Sequence, residues 1–251
     1  MHLRPSLRRL QRLLQQLLGR QLLLQARFVR AAFLASMAAG SLLITWTSLP
    51  YFDEEDIHPF VLEKLPLPLE NLWLSALSVH VVSAAITLPL CLLLLSRRFL
   101  RRFPRGHRWL GRVVGVSLLA ALVPSGCWLA LFAKGGVASA LGFLLSGGIV
   151  VVATIRAVAA ARRHDFAAHR RFMAHVLAQM SVAVTSRALL IALDVVNVDE
   201  DFAYLISLWL PVVGSAWLAE RVSRRPVVVA RRSRDESRVL PALVFDVDPV
   251  R

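Results

Sequence analysis

The sequence predicts an all-α fold: a polytopic membrane protein of six transmembrane helices, preceded by an amphipathic helix on the membrane surface. Three observations carry that prediction. Hydrophobic residues make up 57% of the 251 positions and the mean hydropathy is +0.59, both above an ordinary globular mixture. Six apolar runs have roughly the 20 residues that a helix needs to cross about 30 Å of hydrocarbon. The basic residues are also grouped: of 30 Lys and Arg, all but Lys64, Lys134 and Arg187 fall in four patches that alternate along the chain with acidic connections.

The patches are the N-terminal arm (Arg4 to Arg30), the stretch from Arg97 to Arg112, the stretch from Arg156 to Arg171, and the C-terminal tail. Because Lys and Arg are retained in the cytosol during insertion, all four are expected on one side. The acidic segments Asp53 to Glu70 and Asp194 to Asp201 are then expected on the other. An even number of crossings follows, with both chain ends cytoplasmic in a bacterial inner membrane.

Taken in order, Leu3, Leu7, Leu10, Leu14 and Leu17 recur in steps of four and three among Arg and Gln, which reads as an amphipathic helix from Pro5 to about Phe28. It is expected to lie in the headgroup layer; the rival reading, a coiled-coil seam, breaks at Gln21. No small-residue cleavage site follows the first apolar run, so a removable signal peptide is not expected. The spans are read as Ala31 to Leu49, Leu72 to Leu95, Val113 to Phe132, Ser139 to Ala160, Phe172 to Leu193 and Phe202 to Leu218. Backbone groups in lipid must be satisfied within the segment, which makes these helices, and the lack of strict alternation argues against a membrane barrel. The predicted organisation is an arm over residues 1–30, a six-helix domain over 31–222 and a basic, disordered tail over 223–251.

Within the spans, Ala32, Ser36 and Gly40, Gly111 and Gly115, and Gly142 and Ser146 repeat at spacings of four, where helices can approach closely. Pro124-Ser125-Gly126 is the expected kink of the third span. The two cysteines, Cys91 and Cys127, sit at different depths and define no disulfide framework.

Composition narrows the partners. A net charge of +14 would suggest nucleic acid in a soluble chain, but here the cations border apolar runs. The bilayer with anionic headgroups is the expected partner and nucleic acid is not; a membrane-protein partner or a homo-oligomer stays open. No P-loop, dinucleotide fingerprint, nucleophile elbow or HExxH string is present.

Ionisable side chains at membrane depth are costly and mark candidate sites. His80 lies nine residues below the outer end of the second span, about 13 Å deep, and Arg187 about 10 Å deep in the fifth. At matched depth they could face one another across an outer pocket. Asp194 follows Arg187 by seven residues on the same helix face, so the simpler reading is a snorkelling Arg187 neutralised by Asp194, with His80 in an interhelical hydrogen bond. At the basic lip, His107, His164, His169 and His175 gather with Arg108, Arg112, Arg170 and Arg171. Two imidazoles on neighbouring helices are what a b-type haem requires, and Arg108 would suit a propionate. A zinc or copper site lacks a companion carboxylate or thiolate other than Asp165, so no metal site is assigned. Anchoring the helix ends to anionic lipid is the alternative role for the same arginines.

The string His107-Arg108-Trp109-Leu110-Gly111-Arg112, followed by His169-Arg170-Arg171-Phe172-Met173 and then Arg187, resembles a bacterial family of multi-pass membrane proteins catalogued as a domain of unknown function. The resemblance covers roughly Leu72 to Leu193. It implies an integral membrane protein without an established reaction, and places His80, His107, His169 and Arg187 at the pattern's positions. Phe172 stands where tryptophan is usual and His175 where arginine is, which shifts the ligand assignment toward His107 and His169. The residues then leave two functions open. One is a redox or haem b-linked protein, with cofactor residues His107, His169, His175 and Arg108 and an outer pocket of His80, Arg187 and Asp194 for a quinone-like or anionic molecule. The other is a small transporter or a non-catalytic subunit of a membrane assembly.

Overall fold

The computed structural model describes residues 5–52, 59–62, 64, 66 and 69–224. Among these, every regular element is helical, and six helices are long and apolar enough to cross a membrane. The tail from residue 225, residues 53–58 of the acidic connection and the side chains of Leu7, Leu10, Leu14 and Leu17 lie outside the described residues.

α1 runs over Pro5–Thr47 as one helix of 43 residues. The expected surface helix and the first span are thus continuous, with no non-helical residue between them. The sequence explains this: from Pro5 on, α1 holds no proline and only two glycines, Gly19 and Gly40, so nothing breaks the backbone ladder. After a short 3₁₀ turn at Leu49–Phe52 and the one-turn helix α2, Pro59–Leu62, the second span is α3, Glu70–Leu94.

A further helix not foreseen from sequence, α4 (Arg97–Arg102), follows, capped by Ser96, whose Oγ accepts from the Phe99 N–H at 3.2 Å. The third span then starts nine residues earlier than the sequence suggests. α5 (Pro104–Val116) has proline at its first position, where a missing N–H costs nothing. His107 therefore sits inside a helix, not before one.

The expected kink of the third span is displaced by one turn. Residues Ser117–Leu122 form a π-helical turn, with the Val123 N–H bonded to the Leu118 carbonyl five residues back, before α6, Val123–Ala130. The proline ring of Pro124 would press on the carbonyl of Ala120, four residues earlier. Widening the turn that contains Ala120 relieves that clash, so the proline acts upstream of itself.

α7 (Gly136–Arg162), α8 (Phe166–Val195) and α9 (Glu200–Ser223) complete the bundle. Asp165 caps α8 by accepting from the Ala168 N–H at 2.9 Å, and Asp199 caps α9 by accepting from the Phe202 N–H at 3.0 Å. From α3 onward the connections are short, so successive spans run antiparallel. α1 packs on α3 and α8, α3 on the third span, the third span on α7, and α7, α8 and α9 on one another. The main core joins Leu88, Leu118, Val150, Val176 and Met180 from four spans.

Two of the glycines at four-residue spacing serve as contacts. Gly40 lies directly against Val184 of α8, and a Cβ on Gly142 would stand 2.9 Å from Leu208 of α9. Gly111 and Gly115 do not: among the described residues nothing stands within 4 Å of a Cβ at either. A small residue permits a close approach without supplying the neighbour.

Candidate functional site

The bundle has an arginine-rich end, with α4, the start of α5, the α7–α8 turn and the end of α9, and an acidic end, with the starts of α3 and α9. Chemistry-bearing side chains gather at both.

At the arginine-rich end His107 stands one turn into α5 and His169 one turn into α8, and the two imidazoles lie within electrostatic reach of one another. His169 Nδ1 is 3.0 Å from the Ala157 carbonyl oxygen. That carbonyl can only accept, so Nδ1 carries a proton and donates it there. His107 Nδ1 is enclosed by protein and has no hydrogen-bond partner among the described residues. Neither ring has a hydrogen bond at Nε2 among the described residues. An imidazole oriented by a backbone carbonyl through one nitrogen, with the other free, is the usual posture of a metal-ligating histidine.

His175 is not drawn into this pair. Its Nε2 lies 3.0 Å from Glu220 Oε2 on α9, and Glu220 also accepts from Arg171 Nη2 and Arg224 Nε, each at 2.5 Å. Sequence reasoning missed Glu220. The signal was there: it is a carboxylate within a run otherwise supplied with arginine. Arg108 is exposed on α5. Among the described residues no group of three or more His, Cys, Asp or Glu could hold a metal ion.

Toward the acidic end, His80 Nδ1 is 3.1 Å from the Leu122 carbonyl oxygen and 3.3 Å from Ser125 Oγ. The Ser125 hydroxyl itself donates to the Ala121 carbonyl at 2.7 Å. His80 thus docks on the turn widened by Pro124, and Gly126 makes room for it: a Cβ there would stand 2.9 Å from His80 Cε1. Arg187 lies within electrostatic reach of His80 and of Tyr51 and Tyr204, and is open to the surface of the bundle. Its Nη1 donates to the Ala183 carbonyl one turn back, at 2.9 Å. The simple neutralisation of Arg187 by Asp194 does not occur: Asp194 is exposed and makes no ion pair with it. Seven residues return a side chain to the same face about 10 Å further along, and Arg187 turns back toward Ala183 instead of reaching outward.

Midway between the ends, Gln179 of α8 is 4% exposed. It accepts from Ser146 of α7 at 2.8 Å and donates to the Val212 carbonyl at 3.1 Å and to Ser215 Oγ at 3.2 Å on α9. Thr87 Oγ1 and Ser117 Oγ, 2.6 Å apart, link α3 to the start of the π turn.

A family model described as predicted membrane protein (DUF2306) matches residues 77–222. No curated protein and no solved structure matches the chain.

Proposed function

The chain belongs to the predicted membrane protein family DUF2306, and from that premise and its own side chains we propose that it is a redox protein of a bacterial cytoplasmic membrane, holding a b-type haem through His107 and His169. The observation that carries this reading is the His107–His169 pair at one end of the bundle, with the Nδ1 of His169 committed to the Ala157 carbonyl and neither Nε2 hydrogen-bonded among the described residues. The residues present fit such a group. They supply two imidazoles within electrostatic reach, one from α5 and one from α8 and one of them oriented by a carbonyl, and Arg108 beside His107 for a carboxylate. When bound, haem supplies one-electron transfer. The protein's part is to fix the imidazole planes and to offset the charge of the propionates with its arginines.

The basic patches support placing the arginine-rich end, and with it both chain ends, in the cytosol. The His80–Arg187 cluster then opens toward the outer leaflet. Arg187 can donate to a quinone-like carbonyl or an anion, while His80, with Nδ1 engaged by Leu122, offers Nε2 to a hydroxyl. Fifteen residues of the third span separate Leu122 from His107, about 22 Å of helix, so the outer cluster is a separate binding site.

The test is optical. Protein purified from cells supplied with haem precursor is expected to show a Soret band, and His107→Ala and His169→Ala are each expected to abolish it while the helical signal and elution volume stay unchanged. Folded, colourless wild-type protein that takes up no added haem overturns the reading and leaves the transporter or non-catalytic subunit in its place.

A further inference from the structure

Between α7 and α8, outside both clusters described above, the surface is indented by a cleft of about 280 Å³. Its walls are Ala159 and Ala160 on α7, Ala168 on α8 and the ring of Phe172, and Arg156 and Arg163 also line it. Three of the residues lining the cleft are alanines, where larger side chains would fill the groove. The guanidinium of Arg156 lies over the Phe172 ring, 5.8 Å from its centroid, which holds the charge at the cleft wall. Asp165 also borders the cleft, but its Oδ1 accepts from the Ala168 N–H at 2.9 Å and no ion pair forms with either arginine. Neither Arg156 nor Arg163 has a carboxylate partner among the described residues.

Arg156 lies six residues inside the end of α7, about 9 Å along the helix, at a depth where an uncompensated cation is costly. Two guanidiniums without a carboxylate partner among the described residues, on the rim of an apolar hollow, call for an anion that has an apolar continuation. The volume decides what part of such a molecule enters: it falls just short of the roughly 300–1,000 Å³ of sites that enclose a whole small molecule. A headgroup fits and its acyl chains do not. The hollow at Arg98, Arg101 and Arg102 on α4 makes the contrast, since arginines alone line it and nothing there would receive a lipid.

We propose that this cleft binds the phosphate of one anionic phospholipid, gripped by Arg156 and Arg163 and seated against Phe172 and the three alanines. Arginine holds a phosphate through paired N–H donors, and the acyl chains remain in the bilayer along α7 and α8. The site makes no use of His107 or His169, so it stands or falls independently of haem.

The experiment uses the full chain in detergent with phosphatidylglycerol or phosphatidylcholine added, with retained lipid read by native mass spectrometry. Wild-type protein is expected to keep phosphatidylglycerol preferentially. Arg156→Gln with Arg163→Gln is expected to lower that retention at least about tenfold, with unchanged helicity. Ala159→Leu, which fills the cleft and keeps both charges, is expected to lower it as well. Equal retention of the two lipids, undiminished retention in either variant, or displacement of the bound lipid by free inorganic phosphate overturns the proposal.

Discussion

His80 and Gly126 are packed so closely that a Cβ on the glycine would stand 2.9 Å from Cε1 of the imidazole. The ring cannot retreat without giving up the Leu122 carbonyl at 3.1 Å. Gly126→Ala therefore sets two effects against each other. Alanine favours the helix by about 1 kcal/mol, while overpacking costs about 1–3 kcal/mol. The expected outcome is a net loss of stability together with displacement of His80, read as a lowered unfolding midpoint and a shifted imidazole nitrogen resonance. An unchanged resonance would mean that the ring has room the structure denies it.

Gly40 and the pair Gly111 and Gly115 separate two meanings of one sequence pattern. Gly40→Ala drives a methyl into Val184 on α8 and is expected to destabilise by about 1–3 kcal/mol, because both backbones must move apart. Gly111→Ala and Gly115→Ala meet nothing within 4 Å and are expected to be neutral or stabilising by up to about 1 kcal/mol. Chemical unfolding in mixed micelles checks all three. Equal losses at the three positions would contradict the packing described.

Gln179 ties α8 to Ser146, Val212 and Ser215 through three hydrogen bonds. At about 0.6 kcal/mol for each interhelical bond in a membrane protein, Gln179→Leu is expected to lose about 2 kcal/mol in the same unfolding assay. Ser146→Ala removes one of the three, so its expected loss is roughly a third as large. A gain in stability for the leucine variant would show that apolar packing alone suffices at this depth.

The six spans were legible because length and hydropathy are properties of each segment alone, and the physics that makes them helical is local. The depths of His80 and Arg187 were legible for the same reason, since counting residues along a helix gives distance. What failed to show in the sequence was the identity of partners. The seven-residue spacing pairs Arg187 with Asp194, yet its guanidinium turns back onto Ala183 and lies within electrostatic reach of Tyr51 in the 3₁₀ turn that follows α1. Pro124 announced a kink but not that the π turn would open at Ser117–Leu122, where strain is relieved upstream. Glu220 and Gln179 were overlooked because each reads as an ordinary polar residue until the neighbouring helices are in place. Continuity of α1 was missed for a different reason: the change from amphipathic to apolar patterning alters what the helix faces, not whether it continues.

Glu220 makes the sharpest test of how the arginine-rich end is held together. Its carboxylate joins His175 and Arg171 on α8 to Arg224 at the end of α9, so three donors, two of them guanidiniums, converge on one acceptor. With a neutral amide in its place, Glu220→Gln keeps the size and one acceptor oxygen but removes the charge that compensates them. Cations left facing one another are then expected to push the last turns of α9 away from α8. The pair is partly solvated, so the loss should be local and should leave the unfolding midpoint of the bundle nearly unchanged. Hydrogen exchange localises it: amides from Trp217 to Ser223 are expected to exchange faster in the variant, while those around Gln179 keep their protection. Added salt should narrow the difference, because screening weakens both the attraction lost and the repulsion gained. Unaltered exchange over those residues would mean that the α8–α9 contact rests on apolar packing there, and that Glu220 merely occupies space among the arginines.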